Sequence, residues 1–111
     1  MPTIDTVRRR TRGMGSDLVV EVTGDPAAAT VATDRIRSLE SRWSRFLPDS
    51  DISRLNAARG HAVEVHVDTR LLIRHACHAH EQTAGAFDPT VLDALVGTGY
   101  DRPFHELAGV D

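Results

Sequence analysis

The sequence predicts an α+β fold, a mostly antiparallel sheet with helices packed on one face. Three observations carry this prediction. Two strand-like runs, 7–12 and 18–22, flank Gly13-Met14-Gly15-Ser16, the pattern of two strands joined by a tight turn. Ala32, Ile36, Leu39, Trp43 and Phe46 recur at spacings of 4, 3, 4 and 3, which makes one apolar stripe on an α-helix. Ala62, Glu64 and His66 alternate with Val63, Val65 and Val67, the period of a half-buried strand.

Each element has its own punctuation. The first run is polar and extended and ends at Gly13, where Gly15 supplies an unusual backbone angle for the turn. Gly24-Asp25-Pro26 closes the second run and opens the long helix, with Asp25 as cap and Pro26 as first residue. Pro48 ends that helix, and a short one is expected over 50–57, before Gly60. After the 62–67 strand, Asp68 is expected to cap a helix over about 69–81. Its Leu72, Ala76 and Ala79 face inward, and Arg70 and Arg74 outward. Residues 83–86 break the chain, and Asp88-Pro89 opens a last helix to Val96, stopped by Gly97 and Gly99.

Size and composition narrow the function classes. The 111 residues make one domain, 1–111, with residues 1–6 expected to be disordered. A net charge of −3 provides no field for nucleic acid, and 5% aromatics provide no base-stacking platform. Arg8-Arg9-Arg10 with Arg12 is the basic cluster and reads as a solvated strand. The single Cys77 cannot form an internal disulfide. No apolar run approaches membrane-spanning length, and no signal-like or lipobox-like segment stands near Met1. A cytoplasmic protein is therefore expected.

The chemistry concentrates in three segments. Residues 83–91, Thr-Ala-Gly-Ala-Phe-Asp-Pro-Thr-Val, put small residues, a ring, a carboxylate and a helix start side by side. A polar ligand can sit at such a junction, and Asp88 can accept from hydroxyls or from a base amino group. If Asp88 serves as a helix cap instead, backbone contacts from Ala86 and Phe87 remain. Met14-Gly15-Ser16 and Phe46-Leu47-Pro48-Asp49-Ser50-Asp51-Ile52-Ser53-Arg54-Leu55-Asn56 are the other two. Ser53 and Asn56 serve either a ligand or the loop itself. His75, Cys77, His78 and His80 fall into two pairs pointing in different directions on a helix, so a metal centre is not expected. Gly-x-Ser-x-Gly, phosphate-loop and Cys-x-x-Cys motifs are absent.

In this order and with these gaps, the segments resemble the FAD:protein FMN transferase family, also called the ApbE family. Its pattern runs roughly Met-Gly-Thr/Ser, then aromatic-x-Pro-x-Ser-x-Ile/Leu-Ser-x-Leu/Phe-Asn, then Thr-Gly-Gly-Ala-Phe-Asp-Pro-Thr-Val. The likeness covers about residues 8–107, with Gly99-Tyr100-Asp101-Arg102 included, and departs at Ala84, where many members have glycine. It implies that FAD is split at its pyrophosphate, that FMN passes to a Thr or Ser hydroxyl of an acceptor protein, and that AMP leaves.

It also implies flavin contacts from Met14, Phe46, Ala86, Phe87 and Asp88. Phe46 stands where many members carry a tyrosine, so its ring can stack but it brings no hydroxyl. No catalytic residue and no Mg²⁺ ligand is assigned within the chain. The family's Gly-Gly-x-x-Lys-Gly segment and its metal-binding Asp and Thr lie beyond the matched region. The chain is thus expected to be the N-terminal part of a larger fold, inactive in transfer by itself. It is expected to meet a C-terminal partner chain or to self-associate. A non-catalytic flavin-binding module is the alternative reading.

Overall fold

The computed structural model describes residues 5–107. Strand β1 (Thr6–Gly13) and strand β2 (Ser16–Thr23) form an antiparallel hairpin in which Gly13 faces Ser16 and Thr6 faces Thr23. Of the segment expected to be disordered, residues 1–4 lie outside the described residues, whereas Thr6 opens β1. Met14 and Gly15 form the turn, both with positive φ (53° and 77°). That is the backbone of the turn that best suits the twist of a hairpin.

Helix α1 (Ala27–Trp43) lies on the hairpin and packs against both strands. Asp25 caps its start, since Asp25 Oδ1 accepts from Ala27 N–H (2.9 Å). Pro26 already has helical angles, φ −58° and ψ −26°. Val7, Thr11, Leu18, Val20 and Val22 are half-buried on the sheet's inner face, while Val19 and Glu21 face outward. The stripe from Ala32 to Trp43 is half-buried as its spacing requires. The helix ends at Trp43, before Phe46, because Ser44 turns extended (φ −67°, ψ 119°).

Helices α2 (Asp51–Ala57) and α3 (Val67–Gln82) pack on α1. The joint between them is polar. Thr69, Ser50 and Asp51 are 0%, 2% and 7% exposed, and Ala29 is the fully buried apolar residue among the described residues. A buried carboxylate is costly unless donors surround it. Asp51 Oδ2 accepts from Thr69 Oγ1–H (2.6 Å) and from His66 N–H (3.0 Å), while Oδ1 accepts from the Arg54 guanidinium. Trp43 Nε1–H donates to Thr69 Oγ1 (3.2 Å), which ties α1 into the same cluster. Ser50 Oγ–H donates to Ser44 O (2.6 Å) and accepts from Ser53 N–H (3.1 Å), capping α2. Ser53 Oγ–H donates to Arg45 O (3.1 Å), so Ser53 holds the loop. An ion pair joins α1 to α3, with both terminal nitrogens of Arg35 on Asp68 (2.6 and 2.8 Å) and Arg42 on its Oδ2 (3.3 Å).

Besides the end of α1, which the sequence places at Pro48 and the structure at Trp43, three sequence expectations need correction. Residues 62–66 form no strand, although Val63 and Val65 are half-buried and Ala62, Glu64 and His66 exposed. The burial alternates, but among the described residues no neighbouring strand is there to pair with. Side chains satisfy the backbone instead: Arg54 donates to Glu64 O (3.0 Å), and Asp51 takes His66 N–H. The cap of α3 is His66, whose Nδ1 accepts from Asp68 N–H (3.1 Å), so α3 starts at Val67 and Asp68 lies inside it. Helix α4 (Leu92–Gly97) starts later than Asp88-Pro89 suggests. Asp88 Oδ1 accepts from both Thr90 N–H (2.9 Å) and Thr90 Oγ1–H (2.6 Å), which closes a local turn and delays the helix. A 3₁₀ turn follows at Phe104–Glu106.

The described chain is extended, with a radius of gyration of 17.5 Å against about 13 Å for a compact domain of this length. No helix among the described residues is long and apolar enough to cross a membrane.

The end of α3 carries an unusual residue. Ala84 N–H donates to Glu81 O (3.2 Å) and Gly85 N–H to His80 O (2.9 Å), a Schellman pair. Ala84 occupies the left-handed position (φ 50°), which favours glycine. Ala84→Gly is expected to stabilise the fold by about 1 kcal/mol, read as a rise in Tm of roughly 4–8 °C.

Hydrogen bonds from Thr69, His66 and Arg54 hold the Asp51 carboxyl below the usual carboxylate range, against the effect of burial. Its contribution to stability is therefore complete above the unfolded pKa of about 3.9 and is lost as pH falls through the lower folded value. Thermal melts between pH 7 and pH 2 are expected to fall steeply at the acid end. Asp51→Asn should lower Tm at pH 7 and flatten the acid limb, and an unchanged acid limb would contradict this role.

Candidate functional site

The hairpin turn, the end of α1 and the segment after α4 enclose a cavity of about 460 Å³. One rim is Met14 and Gly15, and Met14 is 53% exposed. The positive φ of Met14 costs about 1–2 kcal/mol for a side-chain-bearing residue. Glu40, from α1, offsets part of this cost by accepting Met14 N–H at its Oε1 (2.9 Å). Gly13 makes room for that contact: a Cβ there would stand 2.6 Å from Leu18 Cδ1 and 3.4 Å from Glu40 Oε2.

The opposite wall is aromatic. Phe46 and Tyr100 meet edge to face, with centroids 6.0 Å apart at 79°. The Arg45 guanidinium lies 4.2 Å from the Phe46 centroid and 4.8 Å from that of Tyr100. Arg45 also donates to Tyr100 O (2.7 Å), which pins the segment after α4 to the end of α1. Trp43, Pro103 and His105 also line the cavity. An apolar, aromatic concavity with a few fixed polar groups suits a planar ring ligand.

Of the residues singled out in the sequence, Met14 and Phe46 line this one cavity. Ala86, Phe87 and Asp88 do not line it. Their segment is held to the end of α3, where Phe87 N–H donates to Thr83 Oγ1 (2.9 Å). Asp88 Oδ1 is engaged with Thr90, and among the described residues its Oδ2 makes no hydrogen bond. The Thr90 bonds, helped by the charge of His80, hold the Asp88 carboxyl below its ordinary range. Asp88 is thus the cap of a local turn with one oxygen left outward.

The cavity also takes Glu40, Arg45 and Tyr100, which the sequence reading does not single out as ligand contacts. Tyr100 lies within the Gly99-Tyr100-Asp101-Arg102 motif, which was a usable signal. Glu40 and Arg45 sit on a helix and at its end with nothing local to mark them. Among the described residues no group of three or more His, Cys, Asp or Glu converges on a point where a metal could sit.

A model of the ApbE family matches residues 14–106, most of the chain. The protein belongs to the ApbE family. No curated protein and no solved structure matches it. The matched span starts at Met14 and includes every residue that lines the cavity, so the cavity is built within the ApbE homology.

Glu40 should matter to the hairpin turn because it bonds a backbone N–H that would otherwise have only solvent. Glu40→Ala is expected to destabilise by about 1 kcal/mol, while Glu40→Gln, which keeps an acceptor oxygen, should recover most of the loss in a denaturant melt. Equal losses in both variants would show that the bond is not the cause.

Proposed function

We propose that this chain carries part of the FAD site of an FAD:protein FMN transferase. The observation that supports it is the meeting of Met14 and Phe46, far apart in sequence, on one aromatic cavity. Membership of the ApbE family supports the flavin-transferase class. In the reaction, the hydroxyl oxygen of an acceptor Thr or Ser bonds to the FMN phosphorus. The pyrophosphate bond to AMP breaks, AMP leaves with the bond electrons, and the hydroxyl proton passes to a base or to solvent.

The side chains here suit binding. Phe46 and Tyr100 offer ring surface, Arg45 a cation beside it, and the Met14 side chain a soft apolar edge. The cavity does not suit Mg²⁺, which needs hard oxygen ligands. Its one acidic lining residue, Glu40, is occupied by Met14 N–H. Metal ligands belong, on this reading, to the family segments beyond residues 14–106, and the partner is the acceptor protein whose hydroxyl receives FMN.

A fluorescence titration of the 111-residue chain with FAD tests this. FAD is expected to bind, and Phe46→Ala to weaken binding about tenfold, the loss of a ring contact. Met14→Gly should weaken binding while raising Tm, because it removes a contact and relieves backbone strain together. Absence of FAD binding, or binding that both substitutions leave unchanged, would refute the reading. Release of AMP on adding Mg²⁺ and an acceptor to a protein that joins this chain to the family's metal-binding segment separates a transferase from a flavin-binding module.

A further inference from the structure

We propose that Glu40 is a positioning residue for the ligand of this cavity: from helix α1 it holds Met14 in the left-handed conformation that keeps the methionine side chain on the rim. The inference rests on the reading of the cavity as part of a FAD site, and it names the residue on which one of the two rims depends.

The hairpin by itself does not call for methionine. Met14 and Gly15 both have positive φ, 53° and 77°, and asparagine followed by glycine takes such a turn at least cost. Gly15 meets that demand at the second place. Met14 does not meet it at the first, because a left-handed Cβ crowds the following carbonyl oxygen. Relaxation of Met14 to a negative φ relieves the crowding and turns its Cα–Cβ bond about N–Cα, away from the present direction. The turn also leaves its first amide without a backbone acceptor. Gly13 and Ser16 are the last pair of the ladder, and among the described residues Met14 N–H bonds only to Glu40 Oε1 (2.9 Å), 26 positions away.

Three observations tie Glu40 to this one task. Its carboxylate makes no other hydrogen bond and no ion pair among the described residues, whereas Arg35 and Arg42 of the same helix go to Asp68. The approach is kept open by Gly13, which is buried and whose Cβ, if present, would crowd both Leu18 and the Glu40 carboxylate. The Glu40 main chain reaches the other wall, since its carbonyl oxygen accepts Ser44 N–H (2.9 Å) at the turn that leads to Phe46. One residue is thus bonded to both sides of the cavity. The side-chain bond biases the left-handed state of Met14 by the worth of one hydrogen bond, about fivefold in population. Apparent affinity follows the fraction of chains in the competent state.

FAD titrations of the full 111-residue chain test this as a double-mutant cycle, read by flavin fluorescence with each fold checked by circular dichroism. Glu40→Ala is expected to weaken FAD binding about fivefold, and Glu40→Gln, which keeps an acceptor oxygen, to recover most of that loss. Glu40→Asp keeps the charge but shortens the reach. It is expected to behave like Glu40→Ala, and it reports the same coupling should the alanine variant fail to fold. With Met14→Gly in place, adding either substitution is expected to change affinity by less than about twofold, because no side chain remains to be positioned. A Glu40→Ala chain with lower Tm and unchanged affinity overturns the inference, since the bond then serves stability alone. An equal loss with and without the Met14 side chain also overturns it, and makes Glu40 a direct ligand contact. Either result, in a chain whose FAD binding Phe46→Ala weakens, leaves the FAD reading of the cavity standing. A chain that binds no FAD sinks that reading and the inference together.

Discussion

A buried carboxylate holds the helical part of this protein together. Asp51 gathers Thr69, His66 and Arg54, and Trp43 reaches the cluster through the Thr69 hydroxyl. Helix α2 has seven residues, too few to persist in water by its own hydrogen bonds. It exists because its first residue is bonded on one side to α3 and, through Ser50, on the other to the end of α1. In most domains an apolar core has this role. Here apolar side chains are mostly half-buried, and the most enclosed ones at the joint are polar. Directional bonds then set the helix angles, since they tolerate less sliding than apolar contact does.

The cavity depends on this joint. Ser44 leaves the helix in an extended conformation, and its carbonyl oxygen is held by Ser50. The next two residues are Arg45 and Phe46, so the same bond that starts α2 also aims the aromatic wall. At the far rim the hairpin puts a methionine where glycine or asparagine would be easier. A strained residue beside a cavity, held by a carboxylate from another element, is the pattern expected where side-chain identity matters more than local stability.

The third motif takes on a different meaning in three dimensions. Thr83 to Thr90 is first of all a device for ending α3 and turning the chain: a Schellman pair at Ala84 and Gly85, a Thr83 hydroxyl on Phe87, and an Asp88 turn closed by Thr90. The left-handed backbone at Ala84 favours glycine by itself, with no ligand needed. Phe87 and the second oxygen of Asp88 stay exposed beyond that scaffold, apart from the cavity that holds Met14 and Phe46.

Local periodicity and turn chemistry were readable from the sequence. Spacings of three and four gave α1 its inward face, Asp25-Pro26 gave its start, and Gly15 gave the hairpin, because each depends on residues within a few positions of one another. The resemblance of three short segments was likewise a property of the chain, and it gave the family. Tertiary structure decided the rest. Alternation at 62–66 reports half-burial of Val63 and Val65, but a strand also needs a neighbour, and none stands there among the described residues. His66 rather than Asp68 caps α3 because Asp51, distant in sequence, holds its backbone. Glu40, Arg45 and Tyr100 joined Met14 and Phe46 only when the hairpin, α1 and the segment after α4 came together. Side chains on separate elements share a cavity through packing geometry, which no local pattern in the sequence encodes.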